Sequence, residues 1–167
     1  MIMKAKEIKL SNTRICRIRE QGYFTKTDED IKALSFGNRF AFRLCGSVLF
    51  LGLVLSNIPI LATMMLIAFL GVVLPYHPFD YIYNHILAKR LSKPRLPQRS
   101  PQLKFACGIA TAWISGTIFL LHNNLILEGY IFGGLLLVVS SLVGGIDYCI
   151  PSKIYNAIFL KNRIQLN

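Results

Sequence analysis

The sequence predicts an all-α protein, a four-span transmembrane helical bundle built from two helical hairpins, each followed by an interfacial amphipathic helix. Three observations predict it: the composition, four long apolar runs, and the placement of the cationic side chains. Hydrophobic residues make up 53% and charged residues 16% of the 167 positions, whereas soluble domains carry roughly 25% charged residues. A chain of this length has room for one domain.

Four runs that are almost free of charge predict the spans: 40–56, interrupted by Arg43, then 58–74, 105–121, and 129–148, interrupted by Asp147. A helix of about seventeen residues is about 25 Å long, the lower end of what crosses a hydrocarbon core of about 30 Å. Buried helices of a soluble bundle are the alternative interpretation. The near absence of polar helix faces disfavours it.

The lysines and arginines predict the orientation. Ten of the nineteen lie in 1–43, six in 75–104 and three in 150–167, and the turns at 56–58 and 122–128 hold none. By the positive-inside rule both termini and the central loop are expected on the cytoplasmic side of the membrane. The basic stretch 4–19 is expected to face lipid headgroups rather than nucleic acid. The expected partners are anionic lipid headgroups and a second membrane protein.

The chain start lacks the apolar core of a signal peptide, so the first span is expected to act as an uncleaved insertion signal. Residues 1–38 are expected to form a cytoplasmic segment, and 39–167 the membrane domain. The TDED sequence at 27–30 carries a capping-box signal and predicts a short helix that leads into the first span. Asn57 and Pro59 predict a tight turn between the first two spans. Residues 92–102, with three prolines, predict a stiff linker.

An octapeptide occurs twice, as IYNHILAK at 82–89 and as IYNAIFLK at 154–161. Each copy follows an apolar run and a proline, and its apolar spacing predicts an amphipathic helix too short to cross a membrane. A Cys-Gly pair also opens both the first and the third span, at Cys45 and Cys107. We therefore expect two repeat units, about 40–91 and 104–163, related by an axis along the membrane normal. Convergence of two interfacial helices is the alternative.

Ionisable groups near the middle of a span mark many ion-coupled carriers, and none of these spans has one. Arg43 and Asp147 lie near the cytoplasmic ends of the first and fourth spans, and a structural clasp between them is favoured over a functional site. His77 and His85 are expected at headgroup level and His122 on the opposite face. No metal and no cofactor is expected.

The cysteines are the one constellation that supports a chemical hypothesis. Cys45, Cys107 and Cys149 are all expected within about one helical turn of the cytoplasmic interface, in a reducing compartment where standing disulfides are rare. The alternatives are that they fill small packing niches or that they have a redox or ligand role. Cys16 lies outside this group.

The segments GNRFAFRLCG, PQLKFACGIA and DYCIPSKIY resemble the entrance and exit motifs of a bacterial membrane family known as domain of unknown function 4395. The resemblance covers about 37–159 and implies a location in a bacterial inner membrane. It implies an exit motif of Cys-x-x-Cys followed by Lys and, two residues on, Tyr. Cys149, Lys153 and Tyr155 match these places, but Ser152 stands where the second cysteine is expected. A lone thiol forms mixed disulfides or carries a sulfur adduct, whereas a pair also closes on itself.

Two functions remain open. The favoured hypothesis is a non-catalytic accessory or scaffold subunit of a membrane complex, because no ionisable residue lies near the middle of a span and Ser152 departs from the motif. The alternative is a thiol-dependent membrane factor, which handles reducing equivalents or a sulfur species through Cys149 with Cys45 or Cys107.

Overall fold

A computed structural model of the chain describes residues 10–160, and all regular structure in this range is helical. The long helices are α2 (Asp28–Val54), α3 (Ile58–Val73), α6 (Pro101–His122) and α7 (Ile126–Ile146). The shorter elements are α1 (Asn12–Arg19), α4 (Pro78–Ile82), a π-helical turn (Tyr83–Leu87), α5 (Ala88–Arg90) and α8 (Ile150–Phe159). The predicted all-α fold is confirmed.

Local sequence signals explain where the helices begin. Thr27 and Asp30 form the predicted capping box at the start of α2. The side chain of Asn57 accepts a hydrogen bond from the backbone N–H of Ile60 and so caps α3. The expected short helix and the first span form one continuous helix, since nothing between 28 and 54 interrupts α2.

The four long helices close into a ring. Helix α2 packs against α3, α3 against α6, α6 against α7, and α7 against α2. Three of them, α2, α6 and α7, are long and apolar enough to cross a membrane by length and composition. The number rises to four if α3 and the bent segment that follows it form one span.

One end of this ring, which we call the terminal end, is where α2 and α6 begin and α3 and α7 end. The segment Pro78–Arg90 turns by 80° from α3 and so lies across this end. Helix α8 packs against α6 at the same end. Both short segments therefore lie where the sequence predicts interfacial helices. Phe36 and Phe40 on α2 pack against the buried ring of Tyr83, which begins the π-helical turn.

Four glycines of the fourth apolar run are candidates for close helix packing. A Cβ at Gly133 would come within 2.6 Å of Leu53, and one at Gly144 within 3.1 Å of the Arg43 side chain. Gly134 and Gly145 have nothing within 4 Å. Of these four glycines, only Gly133 and Gly144 thus permit a close approach between α7 and α2.

Some predictions fall outside residues 10–160. The start of the basic stretch 4–19 and the end of the second repeat unit belong to this group, as do Lys161 and Arg163 of the basic tail.

Candidate thiol site

A cavity of about 320 Å³ lies inside the ring near the terminal end. Its walls are mainly aliphatic and aromatic side chains from α2, α3, α6, α7 and α8. The polar groups that line it are few: Cys45, His77, Arg99, Cys107, Ser140 and Cys149. The three cysteines that the sequence places at one depth therefore share one cavity.

Cys149 occupies the N-cap of α8 and is 4% exposed. The hydroxyl of Ser152, one turn into the helix, donates a hydrogen bond to Cys149 Sγ at 3.0 Å. Burial raises the pKa of the Cys149 thiol, and the hydrogen bonds from the Ser152 side chain and backbone oppose that rise. Ser152, which departs from the family's exit motif, thus directly contacts the motif's remaining thiol.

His77 occupies the N-cap of α4 and is 2% exposed. Its Nδ1 accepts a hydrogen bond from the backbone N–H of Phe79 at 3.2 Å, so a neutral ring carries its proton on Nε2. Nε2 lies 3.8 Å from Cys45 Sγ and in this tautomer donates to it. Burial, and then the cation of Arg99, lower the pKa of His77 to about 3, and Asp80 opposes the shift. His77 is therefore neutral near neutral pH.

Arg99 and Asp80 form a buried ion pair beside the cavity. Arg99 Nε donates to Asp80 Oδ2 at 2.7 Å and Nη2 to Oδ1 at 3.2 Å, with side chains 5% and 4% exposed. The remaining amine, Nη1, lies 3.5 Å from Cys107 Sγ and donates to it. Burial lowers the pKa of Arg99, but the charge and hydrogen bonds of the Asp80 carboxylate, with smaller contributions from other groups, together outweigh burial and raise the pKa, so the guanidinium stays charged. Each cavity thiol thus accepts a hydrogen bond from a neighbouring polar group.

The predicted clasp between Arg43 and Asp147 is not formed, and Asp147 pairs instead with Arg39 and Arg14. Arg39 donates to both carboxylate oxygens, at 2.6 and 2.7 Å, and Arg14 Nε donates at 2.8 Å. Arg43 Nε donates to the carbonyl of Gly144 at 2.9 Å. Asp147 follows the last residue of α7, so it lies level with Arg39, one turn of α2 before Arg43. Arg43 still links α2 to α7, but through a backbone carbonyl.

The other two residues of the family motif lie outside the cavity lining. Lys153 is exposed, with Nζ 3.4 Å from Glu20 Oε2 and 5.0 Å from the ring centroid of Tyr148. The ring of Tyr155 packs between Phe105 and Phe159. Within residues 10–160, no three side chains of His, Cys, Asp and Glu lie close enough together to hold a metal ion.

Three residues of the site were not assigned to it from the sequence: Asp80, Arg99, and His77, which was expected only at headgroup level. The sequence did contain a signal for His77. It has a candidate N-cap at position 77, a proline at 78 and an acid at 80, and this spacing is that of a capping box at a helix start. A helix that begins there turns the His77 side chain inward. Arg99 lies in the predicted linker, where nothing in the local pattern distinguishes it from the exposed Arg95.

These features define an all-helical protein with helices of membrane-spanning length and a buried cavity lined by three thiols. The chain belongs to the family described as Domain of unknown function (DUF4395), whose model matches residues 37–159. No curated protein and no solved structure matches the chain. The matched range includes Cys45, Cys107 and Cys149. It leaves out α1 and the turn that follows α1.

Proposed function

We propose that this protein is a thiol-dependent membrane factor, which exchanges sulfur–sulfur bonds at Cys149 with the help of Cys45 or Cys107. One observation carries the proposal: three cysteines line a single cavity, and each sulfur has a hydrogen-bond donor placed against it. A packing role requires no such donors, because a buried cysteine behaves as a small hydrophobe. Donors favour the anionic thiolate, which is the form that reacts.

Burial keeps the Cys149 thiol in its unreactive, protonated form while the cavity is empty. The raised pKa of Cys149 keeps this thiol protonated near neutral pH. The hydroxyl and backbone N–H of Ser152 favour the thiolate when the proton leaves during exchange. The positive end of the α8 macrodipole acts in the same direction. The site therefore suits a reaction that starts only when a substrate occupies the cavity.

The exchange conserves electrons. The thiolate of Cys149 attacks one sulfur of a substrate S–S bond, a new S–S bond forms to Cys149, and the released thiolate takes up the proton. A second cavity thiol, Cys45 or Cys107, then displaces the bound group, which leaves as a second thiol. The substrate disulfide is reduced to two thiols and the two protein thiols are oxidised to one disulfide.

The test uses ethyl methanethiosulfonate, a small neutral reagent, on protein reconstituted in liposomes, with peptide mass spectrometry as the readout. Cys149 attacks the thio sulfur of this reagent, takes up its ethylthio group and releases methanesulfinate. We expect the ethylthio adduct on Cys149 to be followed by an internal disulfide from Cys149 to Cys45 or Cys107, with release of ethanethiol. In a Cys45→Ser, Cys107→Ser protein the adduct should persist. Cys16→Ser, which removes an exposed thiol outside the cavity, is the matched control and should change neither step.

The proposal fails if Cys149 stays unmodified while Cys16 is fully labelled. That outcome would favour the accessory-subunit hypothesis, in which basic residues bind anionic lipid and a protein partner. Gentle solubilisation and native mass measurement would then be expected to show a stoichiometric partner.

A further inference from the structure

The shape of the cavity indicates how a substrate reaches the thiols. Its polar groups are confined to the cysteines, His77, Arg99 and Ser140, and the rest of the wall is apolar, with Leu49, Met64 and Leu136 among the buried side chains. A volume of about 320 Å³ is at the lower end of the range for small-molecule sites. Such a site suits a small molecule with an apolar body and one group that reacts with thiols.

The turn at residues 20–23, which follows α1, covers part of the terminal end of the bundle, beside the segment Pro78–Arg90. The amide of Gln21 donates to the carbonyl of Asp147 at 2.8 Å and accepts from Asn38 at 2.9 Å, and Gln21 is fully buried. The hydroxyl of Ser100 donates to the Gln21 carbonyl, and Asn156 donates to the Glu20 carbonyl at 2.8 Å.

This turn is therefore joined to α2, to the start of α6, to the end of α7 and to α8. These contacts place the turn over the part of the terminal end that lies between α2, α6, α7 and α8. Burial raises the pKa of Tyr23, in the same turn, to about 12, with a smaller lowering effect from Arg99 and a smaller raising effect from Asp80. The turn therefore covers a buried part of the terminal end.

Several residues that line the cavity are also partly or largely exposed on the outside of the bundle. The partly or largely exposed lining residues include Ile109 and Trp113 on α6, Val139 on α7 and Ile154 on α8, the last of which is 43% exposed. They mark a side opening, which we call the mouth, between α6 and α7 and next to α8. The mouth faces outward from two helices that are apolar enough to cross a membrane, so lipid chains lie outside it in a bilayer.

We propose that the cavity takes its substrate from the bilayer, through the mouth, and that the substrate is a small apolar compound with a sulfur–sulfur bond. The proposal rests on the thiol function above. The turn at residues 20–23 excludes water-soluble disulfides from the terminal end. The matched family range begins at residue 37, so this closure is supplied by a part of the chain outside that range.

The experiment compares two methanethiosulfonates with the same reactive group, one with a cyclohexyl tail and one with a trimethylammonium tail. Reconstituted protein is treated with each, and the rate at Cys149 is divided by the rate at Cys16, which is exposed. We expect this ratio to be at least about tenfold higher for the apolar reagent, because a cation is expelled from an apolar site. Equal ratios would overturn lateral entry while leaving the thiol function intact, whereas no labelling of Cys149 by either reagent would overturn both.

Substitutions separate the mouth from the terminal end. Val139→Trp narrows the mouth and should lower the rate of the cyclohexyl reagent at Cys149 several-fold. Val138→Trp is the matched control, since Val138 is 59% exposed and does not line the cavity. A second pair, Ile154→Trp against Ile158→Trp, repeats the comparison on α8. Equal rates of the cyclohexyl reagent at Cys149 within both pairs would contradict entry through the mouth.

Gln21→Ala should open the terminal end and raise the rate of the trimethylammonium reagent at Cys149. It should leave Cys16 unchanged. A reagent that is as slow in this variant as in the unmodified protein would contradict the closure by the turn.

Discussion

The two short helices at the terminal end begin alike and differ in chemistry. Position 77 corresponds to 149 and position 80 to 152, at the seventy-two-residue spacing of the two octapeptides. In each helix the first of these residues is the N-cap, and the second lies one turn into the helix and contacts it. The first helix has His77 with Asp80, and the second has Cys149 with Ser152.

This difference shows which of the two helices places charged groups beside the cavity and which places a thiol there. Asp80 caps the backbone of His77 at 3.2 Å and also holds Arg99. Ser152 has no charge, and among the described side chains its hydroxyl hydrogen-bonds only with the sulfur of Cys149. The first helix therefore orients donors toward the cavity, and the second places there the thiol that the proposed function uses as its nucleophile. Three predictions test this division, from the largest expected effect to the smallest.

Asp80→Asn should be the most damaging of the three changes. It leaves the Arg99 guanidinium buried without its counter-charge, and breaking a buried ion pair in this way costs about 3–5 kcal/mol of unfolding free energy. Unfolding in mixed micelles followed by circular dichroism measures the loss.

The double variant Asp80→Asn, Arg99→Gln is the control for the ion pair. Because it removes both charges, it should recover part of the loss. A double variant less stable than Asp80→Asn alone would contradict the assigned pairing.

His77→Asn should change how stability depends on pH. His77 has a pKa of about 3 when folded, against 6.5 as its ordinary value, so the unfolded chain binds the proton first. The unfolding free energy should fall as the pH drops below 6.5 toward 3, by up to about 1.4 kcal/mol per pH unit. Asparagine also caps helices, so the variant should fold and lack this contribution.

Unfolding midpoints at pH 7.5 and 5.5 measure the effect, and His85→Asn, at an exposed histidine, is the control. A wild type and a His77→Asn protein with equal pH dependence would show that His77 is not the buried neutral group. If only His85→Asn altered the pH dependence of the unfolding midpoint, that dependence would come from the exposed His85 and not from His77.

The fold could be predicted from the sequence because the positions of the helices depend on local sequence patterns. Apolar runs, prolines at helix starts and the TDED cap at residues 27–30 each act locally, so the helices follow from them. The pairing of Asp147 was predicted with the wrong arginine, because a one-turn shift between α2 and α7 is set by packing that no local pattern records. The Arg99 contact with Cys107 depends on how the linker folds back over the bundle. Comparing positions 77 and 149 at the octapeptide spacing would have drawn attention to His77.

Ser152→Cys should change stability least and chemistry most clearly. The Ser152 oxygen lies 3.0 Å from Cys149 Sγ, so a sulfur there completes the Cys-x-x-Cys motif that the family resemblance implies, at the start of a helix. We expect a stability change within about 1 kcal/mol and, on mild oxidation, a local disulfide seen as a loss of two hydrogens in one peptide. The same disulfide should form when Cys107→Ser is added, since the pair is local. If Cys149 instead keeps pairing with Cys107 or Cys45, the second helix start is not an independent thiol site, and the division between the two helix starts fails.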